Sequence, residues 1–181
     1  WRNRSTQIAR FDALLSTVSK ITPVAHPTLA DIGCGYGAMF EFIQQTPCYR
    51  LAKYSGFDIN HQMIIACKNK FPKHKQLFSV GKYPSSTVDV CLFSGTFNLC
   101  HTANTNLWED YIFAILQKCW KRSRYGLALN LLCASRSSVN NKIFYTEQQK
   151  FLDRASMTFG PTHMCSTPHV AGDVTFTIIK P

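Results

Sequence analysis

Leu29-Ala-Asp31-Ile-Gly33-Cys-Gly35-Tyr-Gly37-Ala38 is the stretch on which the reading of this chain turns. Thr28 to Ile32 is an apolar run of strand length, three glycines then alternate with other residues, and Ala38 to Gln45 continues at helical spacing. A glycine loop between a strand and a helix lets a ligand approach the backbone at the helix N-terminus. Gly33, Gly35 and Ala38 also satisfy the dinucleotide pattern G-x-G-x-x-G/A, so the loop by itself leaves two cofactor classes open.

Working outward, short apolar runs alternate with longer periodic ones. Ser5 to Ile21 carries Ile8, Phe11, Leu14, Leu15 and Val18 at helical spacing, which predicts an opening amphipathic helix closed by Pro23 and Pro27. Further strands are expected at Tyr54 to Ile59, Gln76 to Val80, Val88 to Ser94 and Leu127 to Leu132. Helices are expected at Gln62 to Asn69 (closed by Pro72), Leu107 to Lys121 and Thr146 to Ala155. Asp173 to Ile179 alternates as a final strand, with a pairing partner expected near Met157 to Phe159. Strands separated by helices pair in parallel through right-handed crossovers. The expected fold is therefore α/β, a doubly wound, mostly parallel sheet flanked by helices with an antiparallel strand at its C-terminal edge. Ligands in such sheets bind at the carboxyl ends of the strands. No repeat, low-complexity tract or Pro/Gly-rich linker divides the 181 residues, so residues 1–181 are read as one domain, with residues 1–22 covering the site.

Two aspartates bear on the cofactor. A pyrophosphate at the loop would place negative charge near Asp31, whereas S-adenosylmethionine would bring a sulfonium and an ammonium, which a carboxylate favours. Asp58 closes the second strand in Gly56-Phe-Asp58-Ile-Asn60, 27 residues after Asp31. A carboxylate there can accept hydrogen bonds from both ribose hydroxyls of an adenosine cofactor, and the structural alternative is a turn aspartate capping the next helix.

The pattern D-x-G-x-G-x-G followed by an acidic second-strand end resembles the class I S-adenosylmethionine-dependent methyltransferases, which have a Rossmann-like fold. Trp1-Arg-Asn-Arg-Ser-Thr-Gln7 with Arg10-Phe11, Phe93-Ser-Gly-Thr-Phe-Asn98-Leu, Trp108-Glu-Asp-Tyr-Ile112 and Gly126-Leu-Ala-Leu-Asn130-Leu are similar to small bacterial members of mostly unassigned substrate. The resemblance implies that Gly33, Gly35 and Gly37 approach the methionine portion, that Asp58 holds the ribose, and that Ser94 to Asn98 line the floor beside the methyl group. Arg4 or Arg10 would reach the cofactor carboxylate or else form a surface salt bridge. After the third strand the family places an acidic residue near the adenine, where this chain has Gly81-Lys82-Tyr83. The candidate cofactor-binding set is thus Asp31, Gly33, Gly35, Gly37, Asp58, Ile59, Lys82, Ser94, Gly95, Asn98 and Arg10.

Methyl transfer from a sulfonium needs alignment above all, and a base only when the acceptor holds a proton. His101 is the first candidate base, with His61, Tyr83 and Tyr145 behind it. The fourth strand lacks the Asn/Asp-Pro-Pro-aromatic turn that grips a flipped base, and no Pro-Cys pair follows it, since Pro47-Cys48 lies in another loop. A small-molecule acceptor is therefore expected. A net charge of +10 keeps RNA open as a partner. The eight cysteines stand singly without zinc-site spacing, so no metal is expected and reduced thiols in the cytoplasm are. No apolar run approaches bilayer length, and Trp1-Arg2-Asn3-Arg4 is not followed by an apolar export core; no membrane partner is expected. Two other readings stand beside this one. A nicotinamide-dependent oxidoreductase is opposed by Asp31 and by the lack of a separate catalytic domain; a non-catalytic cofactor- or RNA-binding module is suggested by Lys82 and the charge.

Overall fold

The computed structural model describes residues 3–50 and 52–181. Trp1 and Arg2, the start of the N-terminal motif, lie outside the described residues. Five strands run in parallel, β1 (Thr28–Ile32), β2 (Lys53–Asp58), β3 (Phe78–Val80), β4 (Val88–Ser94) and β5 (Ser123–Ala134), in the order β3-β2-β1-β4-β5. Beyond β5 the sheet forks. β9 (Asp173–Ile179) pairs antiparallel along Gly126 to Leu132, and β8 (Thr162–Ser166) pairs antiparallel with β9. The last residues of β5, Cys133 and Ala134, pair in parallel with β7 (Ile143–Glu147), the inner leg of a hairpin whose outer leg is β6 (Ser138–Asn140).

Period-two alternation along the strands divides the core between the two faces. Leu29, Val90, Leu92 and Ala128 pack under α1 (Arg4–Ser16), α2 (Val18–Ile21), α3 (Ala38–Gln45) and α4 (His61–Lys70). Ala30, Ile32, Cys91, Phe93, Leu127 and Leu129 face α5 (Thr105–Arg122) and α6 (Gln148–Phe159). Asn3, Asn60 and Asn104 cap α1, α4 and α5, each side-chain oxygen accepting a backbone N–H of the first turn.

Several elements depart from the sequence expectation for local reasons. The opening helix breaks at Thr17, whose hydroxyl donates to the Leu14 carbonyl at 2.7 Å and competes with the helical bond. After Pro72 the chain winds as a 3-10 turn to Leu77, which leaves only Phe78 to Val80 for the third strand. Met157 to Phe159 is not the partner of the final strand: it ends α6, where Phe159 packs on Phe113 and Trp120, and β8 takes the pairing. Thr146 belongs to β7 rather than to the following helix. The short hairpin β6–β7, absent from the sequence reading, turns at Asn141 and Lys142, both at positive φ. Among the described residues no helix is long and apolar enough to cross a membrane.

Candidate active site

A cavity of about 1120 Å³ opens at the carboxyl ends of the parallel strands. Its lining follows the order of the sheet. Asp58, Ile59, Gly81 and Lys82 come from the ends of β2 and β3; Ile32 and Gly33 from β1; Ser94 to Leu99 and His101 from β4 and its loop; Leu132 from β5; Ile143 and Tyr145 from β7. α1 contributes Asn3, Thr6 and Arg10, α5 contributes Trp108, Tyr111 and Ile115, and the turn before β9 contributes His169, Val170 and Ala171.

The glycine loop is pinned from below and from the side. Gly33 and Cys34 both donate N–H to the Phe57 carbonyl, at 2.7 and 3.0 Å, and Gly35 N–H donates to Asp58 Oδ2 at 2.9 Å. Gly33 stands at φ 79°, and a Cβ there would meet Thr96 Cγ2 at 2.6 Å, while the Thr96 hydroxyl is itself held by the Ile32 carbonyl. The Thr96 side chain from the loop after β4 is thereby packed against the Gly33 backbone, an approach that leaves no room for a Cβ.

Asp58 is placed as expected but is more engaged than the sequence suggested. Its Oδ2 holds Gly35 N–H and its Oδ1 accepts Asn60 N–H at 2.7 Å, so one lone pair on each oxygen remains for a ligand. Asn60, not Asp58, caps α4.

Asp31 requires a correction. It follows Leu29 on the face of β1 turned to the first core cluster, is 2% exposed, and accepts the Tyr54 hydroxyl at 2.7 Å. It does not line the cavity. Burial pushes its carboxyl up to about 7, with the Tyr54 hydrogen bond opposing the shift and the nearby Asp58 charge adding to it. Asp31 is therefore not the exposed carboxylate imagined for a sulfonium; it props the loop from underneath. Gly35 and Gly37 likewise stay off the cavity wall, the latter facing Phe71 and Cys67.

A folded-state pKa above the ordinary 3.8 means that the native state holds a proton the unfolded chain has lost, so this group's contribution to stability falls as pH rises from about 4 to about 7. Three units correspond to about 4 kcal/mol. Asp31→Asn, whose amide oxygen can still accept from Tyr54, is expected to flatten that part of the stability profile. Urea midpoints of both proteins at pH 5 and pH 8 check this, and parallel profiles would refute it.

Arg10 lines the cavity, whereas Arg4 does not. Its Nε donates to Asp173 Oδ2 at 2.7 Å in a pair whose side chains are 11% and 0% exposed, a buried ion pair rather than the surface one considered from sequence. Asp173 Oδ1 accepts the Thr167 hydroxyl, and Thr167, Thr175 and Asn130 continue the polar chain into the sheet. Two polar atoms of cavity-lining residues are buried without a protein partner, Ser94 Oγ and Asn98 Oδ1. Lys82 lies 6.0 Å from the Tyr111 ring, and Tyr111 stacks on Trp108, whose indole N–H donates to the Phe97 carbonyl. His101 and Tyr145 line the cavity; His61 and Tyr83 do not. Thr96 lies within the Ser94 to Asn98 floor and Tyr111 within the Trp108 to Ile112 motif, whereas Ile143 and His169 were not singled out from sequence. Only His169 carries a local signal there, a Pro-His-Val-Ala-Gly turn before the last strand.

Residues 30–111 match the family model described as a methyltransferase domain. Solved structures share the fold. DesVI of Streptomyces venezuelae superposes with a TM-score of 0.70 at 11% identity, covering 97% of this chain and 92% of its own. The SAH-bound magnesium protoporphyrin IX methyltransferase (ChlM) of Synechocystis PCC 6803 gives 0.66 at 12%, covering 100% and 89%. CalS10, an amino pentose methyltransferase from Micromonospora echinaspora, gives 0.67 at 11%, covering 97% and 92%. At such identities the likeness speaks for the fold. No curated protein sequence matches the chain. The domain match covers residues 30–111, and the strand order is like that of the class I, Rossmann-like S-adenosylmethionine-dependent methyltransferases. S-adenosylmethionine is the methyl donor of this class.

Proposed function

We propose that this protein methylates a small-molecule acceptor, with the donor held along the β1, β2 and β4 ends of the cavity. The observation that carries the reading is the single cavity that joins the Asp58 carboxylate, the Gly33 turn and the unpartnered Ser94 and Asn98 oxygens at the carboxyl ends of the strands. These groups fit S-adenosylmethionine. Asp58 has lone pairs for ribose hydroxyls, Ile59 and Lys82 flank the adenosine end, and Gly33 with Ser94, Gly95 and Asn98 receives the methionine portion. Asp31, Gly35 and Gly37 shape the loop from behind, and Arg10 borders the space from α1. The bound donor supplies the electrophilic methyl carbon. The chain's own task is to orient donor and acceptor and to exclude water.

A small acceptor rather than nucleic acid is favoured by the site's electrostatics, since Arg10 is already paired with Asp173 and Lys82 lies at the adenosine end. The amino pentose methyltransferase among the neighbours agrees with such an acceptor. We place residues 1–181 in one domain with the N-terminal helix as part of the site wall, and assign the protein to the cytoplasm on its eight free cysteines. Isothermal titration tests the reading. S-adenosylmethionine and S-adenosylhomocysteine are expected to bind one equivalent each and to compete; absence of heat with both overturns it.

A further inference from the structure

The far half of the cavity, beyond the strands assigned to the donor, has a composition of its own. Four steps of about 4.8 Å along the sheet, from β2 through β1, β4 and β5 to β7, separate Asp58 from Tyr145 by roughly 20 Å. The walls at the β7 end are Leu99, Leu132, Ile143, Tyr145, Val170 and Ala171, apolar except for the tyrosine hydroxyl. Leu99 forms a bridge with Ile143, and Phe144 N–H donates to the Asn98 carbonyl, so the β4 loop and β7 make one continuous wall.

Charge is balanced there. Among the described lining residues the fixed charges are Arg10, Asp58 and Lys82; the last two belong to the opposite end, and Arg10 is neutralised by Asp173. No carboxylate lines this half to hold an ammonium, and its one guanidinium already has a carboxylate partner. Placing an ion there would cost desolvation without a compensating partner. A neutral molecule carries no such penalty, and a neutral hydroxyl acceptor holds its proton and needs a base.

A base candidate stands in the same wall. His169 lines the cavity at φ 61°, a conformation a non-glycine residue adopts only when its surroundings hold it. The turn is held at both ends. Thr167 N–H donates to the Asp173 carbonyl, Cys133 N–H to the Gly172 carbonyl, and the Thr167 hydroxyl to Asp173, the partner of Arg10.

We propose that this half is the acceptor subsite, that it takes a neutral, apolar-bodied hydroxyl compound, and that His169 accepts the hydroxyl proton. The inference rests on the methyltransferase reading above. The acceptor oxygen forms its bond to the methyl carbon as the carbon–sulfur bond breaks. The electron pair of that bond remains on sulfur, the proton moves from oxygen to an imidazole nitrogen, and an ether and S-adenosylhomocysteine leave.

Three probes of one shape separate the alternatives: 2-naphthol, 2-naphthoate and 2-naphthylmethylammonium, titrated by NMR into protein saturated with S-adenosylhomocysteine. The neutral probe is expected to bind at least tenfold more tightly than either ion; equal binding, preference for an ion, or no binding of 2-naphthol overturns the inference. Saturation with the nucleoside is verified first by calorimetry, so that a failure of donor binding is seen separately from a failure of the subsite. His169→Gly, which keeps the positive φ without strain, is expected to retain nucleoside affinity. It should lose at least 100-fold in transfer of labelled methyl to 2-naphthol and recover part of it with added imidazole. Loss without imidazole rescue, or no loss, removes His169 from the role.

Discussion

Asp58→Ala is expected to lower the affinity for S-adenosylmethionine by roughly 100- to 1000-fold, read by isothermal titration. The carboxylate has two duties, and alanine ends both. It anchors the glycine loop through Gly35 N–H at 2.9 Å and its own turn through Asn60 N–H at 2.7 Å, and its remaining lone pairs face the cavity. Charge-assisted hydrogen bonds contribute about 1.5–3 kcal/mol each, so two lost to the ribose already account for most of that range. Asp58→Asn separates the duties. Its amide oxygen can still accept Gly35 N–H, but its amide nitrogen then faces Asn60 N–H, donor against donor. An intermediate loss of about tenfold is expected with the loop intact. Donor binding within threefold of the unmutated protein in Asp58→Ala would show that another group holds the ribose.

Gly126→Ala is expected to be the most damaging methyl group that can be added to this sheet. A Cβ at Gly126 would stand 2.1 Å from the Ile178 carbonyl oxygen and 3.0 Å from Ile21 Cγ2. The obstacle is backbone. β9 cannot step aside, because β8 holds its other edge and seven residue pairs fix its register on β5. A substitution that forces a packed strand to move costs several kcal/mol, taken here as about 3 or more, against a total of about 5–15 kcal/mol for a domain. At about 2–4 °C per kcal/mol for a chain of this length, Tm is expected to fall by roughly 10 °C, or the protein to be recovered insoluble. Thermal unfolding followed by circular dichroism checks this; an unchanged Tm would contradict the β5–β9 pairing. The site would suffer with the sheet, since β5 and β9 carry Leu132 and Asp173 to the cavity and to Arg10.

Elements whose signal is local were legible before any coordinates. β1, α3, β4 and β9 have the bounds that the apolar runs and glycines suggested, because strand and helix periods are properties of neighbouring residues. Elements whose identity depends on distant contacts were not. The hairpin β6–β7 consists of strands of three and five residues with weak alternation, held by β5 and by the bridge between Leu99 and Ile143. β8 has exposed positions along most of its length and is a strand because β9 offers it an edge.

The site divides in the same way. The sequence by itself determined that a glycine loop joins β1 to α3, that an aspartate closes β2, and that both lie where a doubly wound sheet binds ligands. These follow from short-range spacing and chain handedness. Only the tertiary structure decided which atoms face the cavity. It turned Asp31 inward to Tyr54, closed Arg10 onto Asp173, and brought His169 from the last loop to the cavity wall. The physical reason is that a side chain's direction and charge state are set by partners far away in the sequence, through burial and hydrogen bonds that spacing along the chain does not encode.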